Sequence, residues 1–252
     1  MIGLILWREP DKRKKSVTTE VCTVLHMRFL KVEIAREPRT PEVLIRRRIR
    51  AALRQLRREG VTRVVLPKEF YWPELLEKQG VRPVSALSLR RCLAAEWAGV
   101  TLLEKGISGS TARVAVSADR LTGEIVRTVT ELVLRHRYVL LDLPGGGEEL
   151  CRQLRREYGV TLLLAPSVEQ VRDAEIRVAF DRREWDRDLL CLRLYDESQP
   201  LPQLLLPPAL EQQLPEGANR VQLLAALQEG GVLRSGKISL ETPQFGTERK
   251  AK

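Results

Sequence analysis

The chain has 252 residues, 43% hydrophobic and 30% charged, too apolar for a disordered protein and long enough for one large domain or two ordinary ones. Its longest apolar runs, such as residues 2–7, fall far short of the roughly 20 residues of a membrane span, and the MIGLILW start lacks the basic lead and longer apolar core of a signal peptide. The formal net charge is +10, and residues 1–63 hold 17 basic and 7 acidic side chains, so the whole excess lies in the first quarter.

Four cysteines, Cys22, Cys92, Cys151 and Cys191, are widely spaced with no CxxC pair. That pattern argues against a zinc ribbon or a disulfide framework and predicts reduced thiols in the cytoplasm.

In chain order, residues 2–7 predict a short strand and REPDKRKKS a loop. Residues 17–34 alternate, with Val17, Thr19, Val21, Thr23, Leu25, Met27 and Phe29 on one side. That period predicts a half-buried strand, or two strands with a bend. Thr40-Pro41-Glu42 predicts a helix start, with Thr40 as the cap and Pro41 at the first helical position. Ile45, Ile49, Ala52, Leu53 and Leu56 form its apolar stripe, arginines occupy the other face, and Gly60 ends it.

Strand and helix then alternate: strand 62–67, helix 69–79, an extended piece 81–86, and helix 87–98 closed by Gly99. A loop-rich stretch to Thr111 predicts a domain boundary near 105. ARVAVS, YVLLDL, VTLLLAP and EIRVAFD then read as four strands, separated by helices in LTGEIVRTVTELVLRHR, GGGEELCRQLRREYG and SVEQVRDA, the last opened by a Ser167…Gln170 capping box. The strands are mostly continuous apolar runs, the pattern of parallel strands covered on both faces. A strand at 189–196, a proline-rich connector, a helix at 219–228 and a disordered tail complete the chain.

The fold class is therefore α/β: a Rossmann-like, mostly parallel sheet preceded by a smaller α/β region with a β-rich start. The expected domains are 1–105, a basic α/β region; 106–240, the Rossmann-like domain with a strand–helix extension; and a tail at 241–252. The alternative arrangement joins the strands of both regions in one sheet.

Residues 112–181 resemble a Rossmann-type NAD(P)-binding half-domain. The resemblance rests on RVAVSADRLTGEIV, on Asp142 closing the second strand in YVLLDL, and on SVEQVRDAEIRVAF. It implies a phosphate loop after the first strand and an acid on a ribose hydroxyl. One alignment puts Ser117, Asp119 and Thr122 at the glycine positions of GxGxxG; the other puts Ala118, Arg120 and Gly123 there. Neither keeps more than one glycine. Asp119 opposes a diphosphate at the helix N-terminus, and Arg120 offsets it. Asp142 lies 19 residues after Gly123, near the spacing for a ribose-binding acid. The expectation is a degenerate nucleotide site with no cofactor, NAD(P) being the alternative.

The other motifs are weaker. Gly145-Gly146-Gly147 is followed by Glu148 and Glu149, which repel phosphate, so a helix lead-in is preferred to an anion nest. GISGST lacks a P-loop lysine and reads as a linker, and GVLRSGKI has Ile238 where magnesium needs a hydroxyl. His26, placed in a strand, and His136, placed in a last helical turn, have no evident nucleophile or metal-ligand neighbour. Asp186-Arg187-Asp188 reads as a solvated turn, and no metal site is expected.

Three functions remain. The leading one is a non-catalytic Rossmann-like protein with an interaction role, its basic N-terminal region meeting an anionic partner, either nucleic acid or an acidic protein. The second is an NAD(P)-dependent oxidoreductase with an atypical phosphate loop. The third is nucleic-acid binding through Arg46, Arg47, Arg50 and Arg54, helped by the KRKK stretch at 12–15. Phe70-Tyr71-Trp72 reads as either a contact patch or core.

Overall fold

The computed structural model describes residues 1–11, 13, 15–182 and 190–242. The chain forms two compact units, residues 1–86 with 206–237, and residues 87–205 with the segment from 238 onward.

The first unit opens with β1 (Ile2–Arg8), β2 (Val17–Val24) and β3 (Met27–Ala35). β2 and β3 are antiparallel and joined by a two-residue turn in which Leu25 (φ 46°) and His26 (φ 70°) are both left-handed. The alternation expected across residues 17–34 therefore breaks. Phe29 opposes Cys22 and lies on the other face from Val21, and His26 sits in the turn rather than in a strand.

α1 (Glu42–Arg58) buries the expected stripe Ile45, Ile49, Ala52, Leu53 and Leu56. Its cap differs from expectation. Pro41 holds the cap position, and the Thr40 hydroxyl turns back to accept from the Glu37 N–H at 2.9 Å. β4 (Arg63–Val65), α2 (Pro73–Lys78) and β5 (Arg82–Pro83) follow.

The first sheet runs β2-β3-β1-β4-β5, parallel throughout except for β2. Ile5, Val32 and Val64 pack with α1 and α2 on one face, while Leu4, Phe29 and Val65 are buried on the other by strand alternation.

The second unit begins earlier than the boundary expected near 105. The helix expected at 87–98 is broken into α3 (Leu87–Cys92) and α4 (Ala94–Glu104). α4 runs straight through Gly99 because Val100 and Leu102 are buried and the helix packs on the second sheet. Then come β6 (Arg113–Ser117), α5 (Gly123–Val133), β7 (Tyr138–Asp142), α6 (Gly147–Tyr158), β8 (Leu163–Leu164), α7 (Val168–Arg172), β9 (Ile176–Ala179), β10 (Cys191–Arg193) and β11 (Leu204–Leu205). The Ser167–Gln170 capping box is present in full. β8 is much shorter than VTLLLAP suggests, and Leu163 is 44% exposed, so this strand is not covered on both faces.

This sheet is entirely parallel, in the order β10-β9-β6-β7-β8. Counted within the unit that is 3-2-1-4-5, the doubly wound order of a Rossmann-type sheet. The two sheets are separate, so the one-sheet alternative does not hold.

The chain then supplies α8 (Pro208–Glu211), α9 (Arg220–Glu229) and a 3₁₀ turn to the first unit. The Asn219 side chain caps α9, which packs on β4. β12 (Ser239–Leu240) pairs antiparallel with β11 in the second unit. Asp186, Asp188, residues 12 and 14 of KRKK, and residues 243–252 of the expected tail lie outside the described residues. No described helix is long and apolar enough to cross a membrane.

Candidate functional site

In the second sheet, the chain leaves β6 toward β7 on one side and later returns to β9 on the other. A crevice opens outside the carboxyl ends of strands at such a switch point, and this is where α/β sheets place ligands. Here it is lined by the β6–α5 loop, the end of β9 and the end of β7.

Several groups at the positions that would cradle a diphosphate already have partners within the chain. Ser117 is fully buried, and its hydroxyl accepts from Arg177 Nε at 3.0 Å. Asp119 gives its main-chain N–H to Asp181 Oδ2 at 2.9 Å. The Thr122 hydroxyl caps α5, accepting from the Ile125 N–H at 3.4 Å. Asp142 ends β7, half-buried, and its carbonyl takes the Ala118 N–H at 3.1 Å.

Arg120 is exposed on the loop. Gly123 opens α5, where an added Cβ would meet nothing within 4 Å, so no close helix–strand approach requires glycine there. Glu124 in the first turn pairs with Arg91 at 3.2 Å. The structure thus brings Ser117, Asp119, Arg120, Thr122, Gly123 and Asp142 around one crevice, with two further carboxylates, Asp181 and Glu124, added to it.

Arg177 and Asp181 were missed from sequence. The signal was a charge inside the apolar run EIRVAFD, which in a parallel strand covered on both faces demands a dedicated partner. Arg177 is 1% exposed and stands opposite Ala115 in register.

The glycine triplet is structural. Gly146 is left-handed (φ 81°) at the α6 cap, and a Cβ on Gly147 would come within 2.3 Å of Leu164 Cδ1. His136 follows α5 rather than lying within it, and its Nδ1 is 2.9 Å from the Gly109 carbonyl oxygen of GISGST. Burial raises the thiol pKa of Cys22 and of Cys151. Among the described residues, no group of three or more His, Cys, Asp or Glu could hold a metal ion.

The arginine helix divides its four candidates. Arg46 pairs with Glu42 at 2.8 Å and Glu74 at 3.2 Å. Arg47, Arg50 and Arg54 are exposed and make no ion pair with described residues. Their i, i+3, i+7 spacing aligns them in a row roughly 10 Å long.

Beside that helix the aromatic triplet is partly core and partly surface: Trp72 is buried, Phe70 half-buried and Tyr71 64% exposed. Trp7 joins them, stacked on Phe70 at 6.3 Å and edge-on to Trp72 at 6.0 Å. Arg36 lies over the Trp7 ring at 4.9 Å and the Trp72 ring at 5.9 Å. The sequence hid this corner because Trp7 and Arg36 are distant until β1 and β3 pair in parallel with Arg8 against Ala35.

No family model matches the chain, and no curated protein matches it. Among solved structures it is similar to L-tryptophan dehydrogenase from Nostoc punctiforme, with 12% identity over 60% of this chain and 44% of that one, at a TM-score of 0.27. A putative aspartate carbamoyltransferase from Leishmania major Friedlin gives 18% identity over 59% and 50%, at a TM-score of 0.26. The catalytic subunit of M. jannaschii aspartate transcarbamoylase gives 12% identity over 71% and 60%, at a TM-score of 0.28. The matched part therefore spans between 44% and 60% of the length of these proteins. The fold assignment rests on strand order and direction.

Proposed function

We propose that this protein is a non-catalytic, Rossmann-like interaction protein whose dinucleotide crevice is closed by its own groups. The observation that carries this reading is the bond from the Asp119 N–H to the Asp181 carboxylate. A main-chain donor at this point of the fold is what a bound diphosphate would use. Here an internal anion satisfies it, and the neighbouring carboxylates of Asp119 and Asp142 disfavour a second.

A thermal-shift panel with NAD, NADH, NADP, NADPH, ATP and S-adenosylmethionine tests this. A ligand at 100 times its Kd would stabilise the chain by about 2.7 kcal/mol. The expected result is no dose-dependent shift. A shift with one nucleotide, lost in both Gly123→Trp and Asp142→Ala, would replace this reading with the NAD(P)-dependent oxidoreductase.

The interaction surface in this proposal is the exposed row of Arg47, Arg50 and Arg54, with an anionic partner. Nucleic acid is the partner class whose regularly spaced phosphates suit such a row. Its test is a salt titration of binding, described below.

A further inference from the structure

We infer that the second unit carries a binding site for a small aromatic anion at the amino-terminal edge of its sheet, the opposite edge from the switch-point crevice. This inference does not rest on the function proposed above.

The site arises from a short crossover. The helix between β8 and β9, α7, has five residues, barely more than one turn. Val171 of α7 and Ala174 just after it cover Ala115 and Leu140. Strand alternation puts Arg113, Tyr138, Leu140 and Leu163 on that same face, because Arg113 stands opposite Tyr138 and Leu140 opposite Leu163. Beyond the reach of α7 the face stays open, with Tyr138 46% and Leu163 44% exposed.

What remains is a cavity of about 640 Å³, within the range of small-molecule sites. Tyr138, Leu140 and Leu163 give it an apolar, partly aromatic floor, and Arg113 and Arg137 give it two cations. Among the described residues, no carboxylate lines it. The one acid bonded to its rim, Glu175, is engaged by the Arg113 main-chain N–H at 2.6 Å. Neither arginine side chain makes an ion pair with described residues. The Arg137 guanidinium lies over the Tyr138 ring at 5.4 Å.

These groups select a ligand by chemistry. A planar ring gains area against Tyr138 and Leu163, and a carboxylate, phosphate or sulfonate on that ring meets planar guanidinium donors. A neutral ring would forgo the charge-assisted bonds, and a non-aromatic anion would forgo the floor.

The test uses 1-anilinonaphthalene-8-sulfonate as the probe, in a fluorescence titration of the full chain at fixed ionic strength. Its uncharged analogue N-phenyl-1-naphthylamine is run in parallel. The inference expects saturable binding at one site, weakened by about tenfold or more in Arg113→Gln/Arg137→Gln through loss of charged hydrogen bonds. The analogue should bind more weakly and be indifferent to that variant. Leu163→Glu should abolish probe binding, and Asp181→Asn should leave it unchanged. Both arginines are exposed, and the melting temperature of each variant checks its fold. Non-saturable binding, or unchanged affinity in the double arginine variant, would overturn the inference. So would tighter binding in Asp181→Asn, which removes the anion held at the switch point and would put the probe in that crevice.

Discussion

Asp119 and Asp181, 62 residues apart, are joined across the switch point by one hydrogen bond from main chain to carboxylate, 2.9 Å long. It ties the loop after β6 to the end of β9. Asp181→Ala removes the acceptor and should lower stability by about 1 kcal/mol, the net value of such a bond near the surface. Urea unfolding of the variant measures this. An unchanged midpoint would mean that water replaces the carboxylate at no cost.

The arginine row makes a quantitative statement about salt. If Arg47, Arg50 and Arg54 meet phosphates, the triple glutamine variant should lower the slope of log K against log salt by roughly 2–3 for nucleic acid. Arg46→Gln should change it far less, since Glu42 and Glu74 already compensate its charge. Fluorescence anisotropy with single- and double-stranded oligonucleotides reads both. Equal effects from all four arginines would show that net charge, not the row, is at work.

Gly3 should not tolerate a side chain. It lies in the central strand β1, where an added Cβ would sit 2.8 Å from Val64 Cγ1 and 2.9 Å from Leu56 Cδ2. Both neighbours are fully buried, so neither can swing into solvent. Gly3→Ala should cost about 1–3 kcal/mol by overpacking, read as a lower thermal midpoint. Gly123→Ala, by contrast, should be near neutral or slightly stabilising through helix propensity.

Trp72 reports on acid pH. Its indole N–H donates to Glu42 Oε1 at 3.2 Å, and Arg46 binds the same oxygen. The hydrogen bond from Arg46, then that from Trp72, hold the Glu42 carboxyl below the ordinary glutamate value. With the folded pKa depressed, this contribution to stability is present above the unfolded value of about 4.3 and is lost as pH falls through the lower folded one. The indole proton resonance of Trp72 should therefore titrate below the ordinary glutamate range, and Glu42→Gln should remove that titration.

The order of strands and helices in residues 112–181 was legible because apolar runs and turn residues mark parallel strands without knowledge of their partners. The loop positions of the candidate crevice residues follow from the same element order. The hairpin was not. A turn built from Leu25 and His26 carries none of the Gly, Asn or Asp that usually marks two left-handed residues in succession. Nor was α4, whose Gly99 reads as a stop although buried Val100 and Leu102 hold the helix through it. Arg177 was hidden for another reason. Its partner, Ser117, lies 60 residues earlier, and only parallel pairing of β6 and β9 brings them together.

The interleaved order of the two units bears on how the chain folds as it is made. β4 is complete by residue 65, yet the segment that ties to it, where the Asn219 N–H bonds the Leu66 carbonyl and α9 packs, ends at residue 229. At 5–20 residues per second, roughly 10–30 s of synthesis separates them. Through that interval the first sheet lacks α9, and Leu4, Phe29 and Val65 stand on the face opposite α1 and α2. A growing chain with such a delay keeps one apolar face of its first sheet without α9 until synthesis is nearly complete.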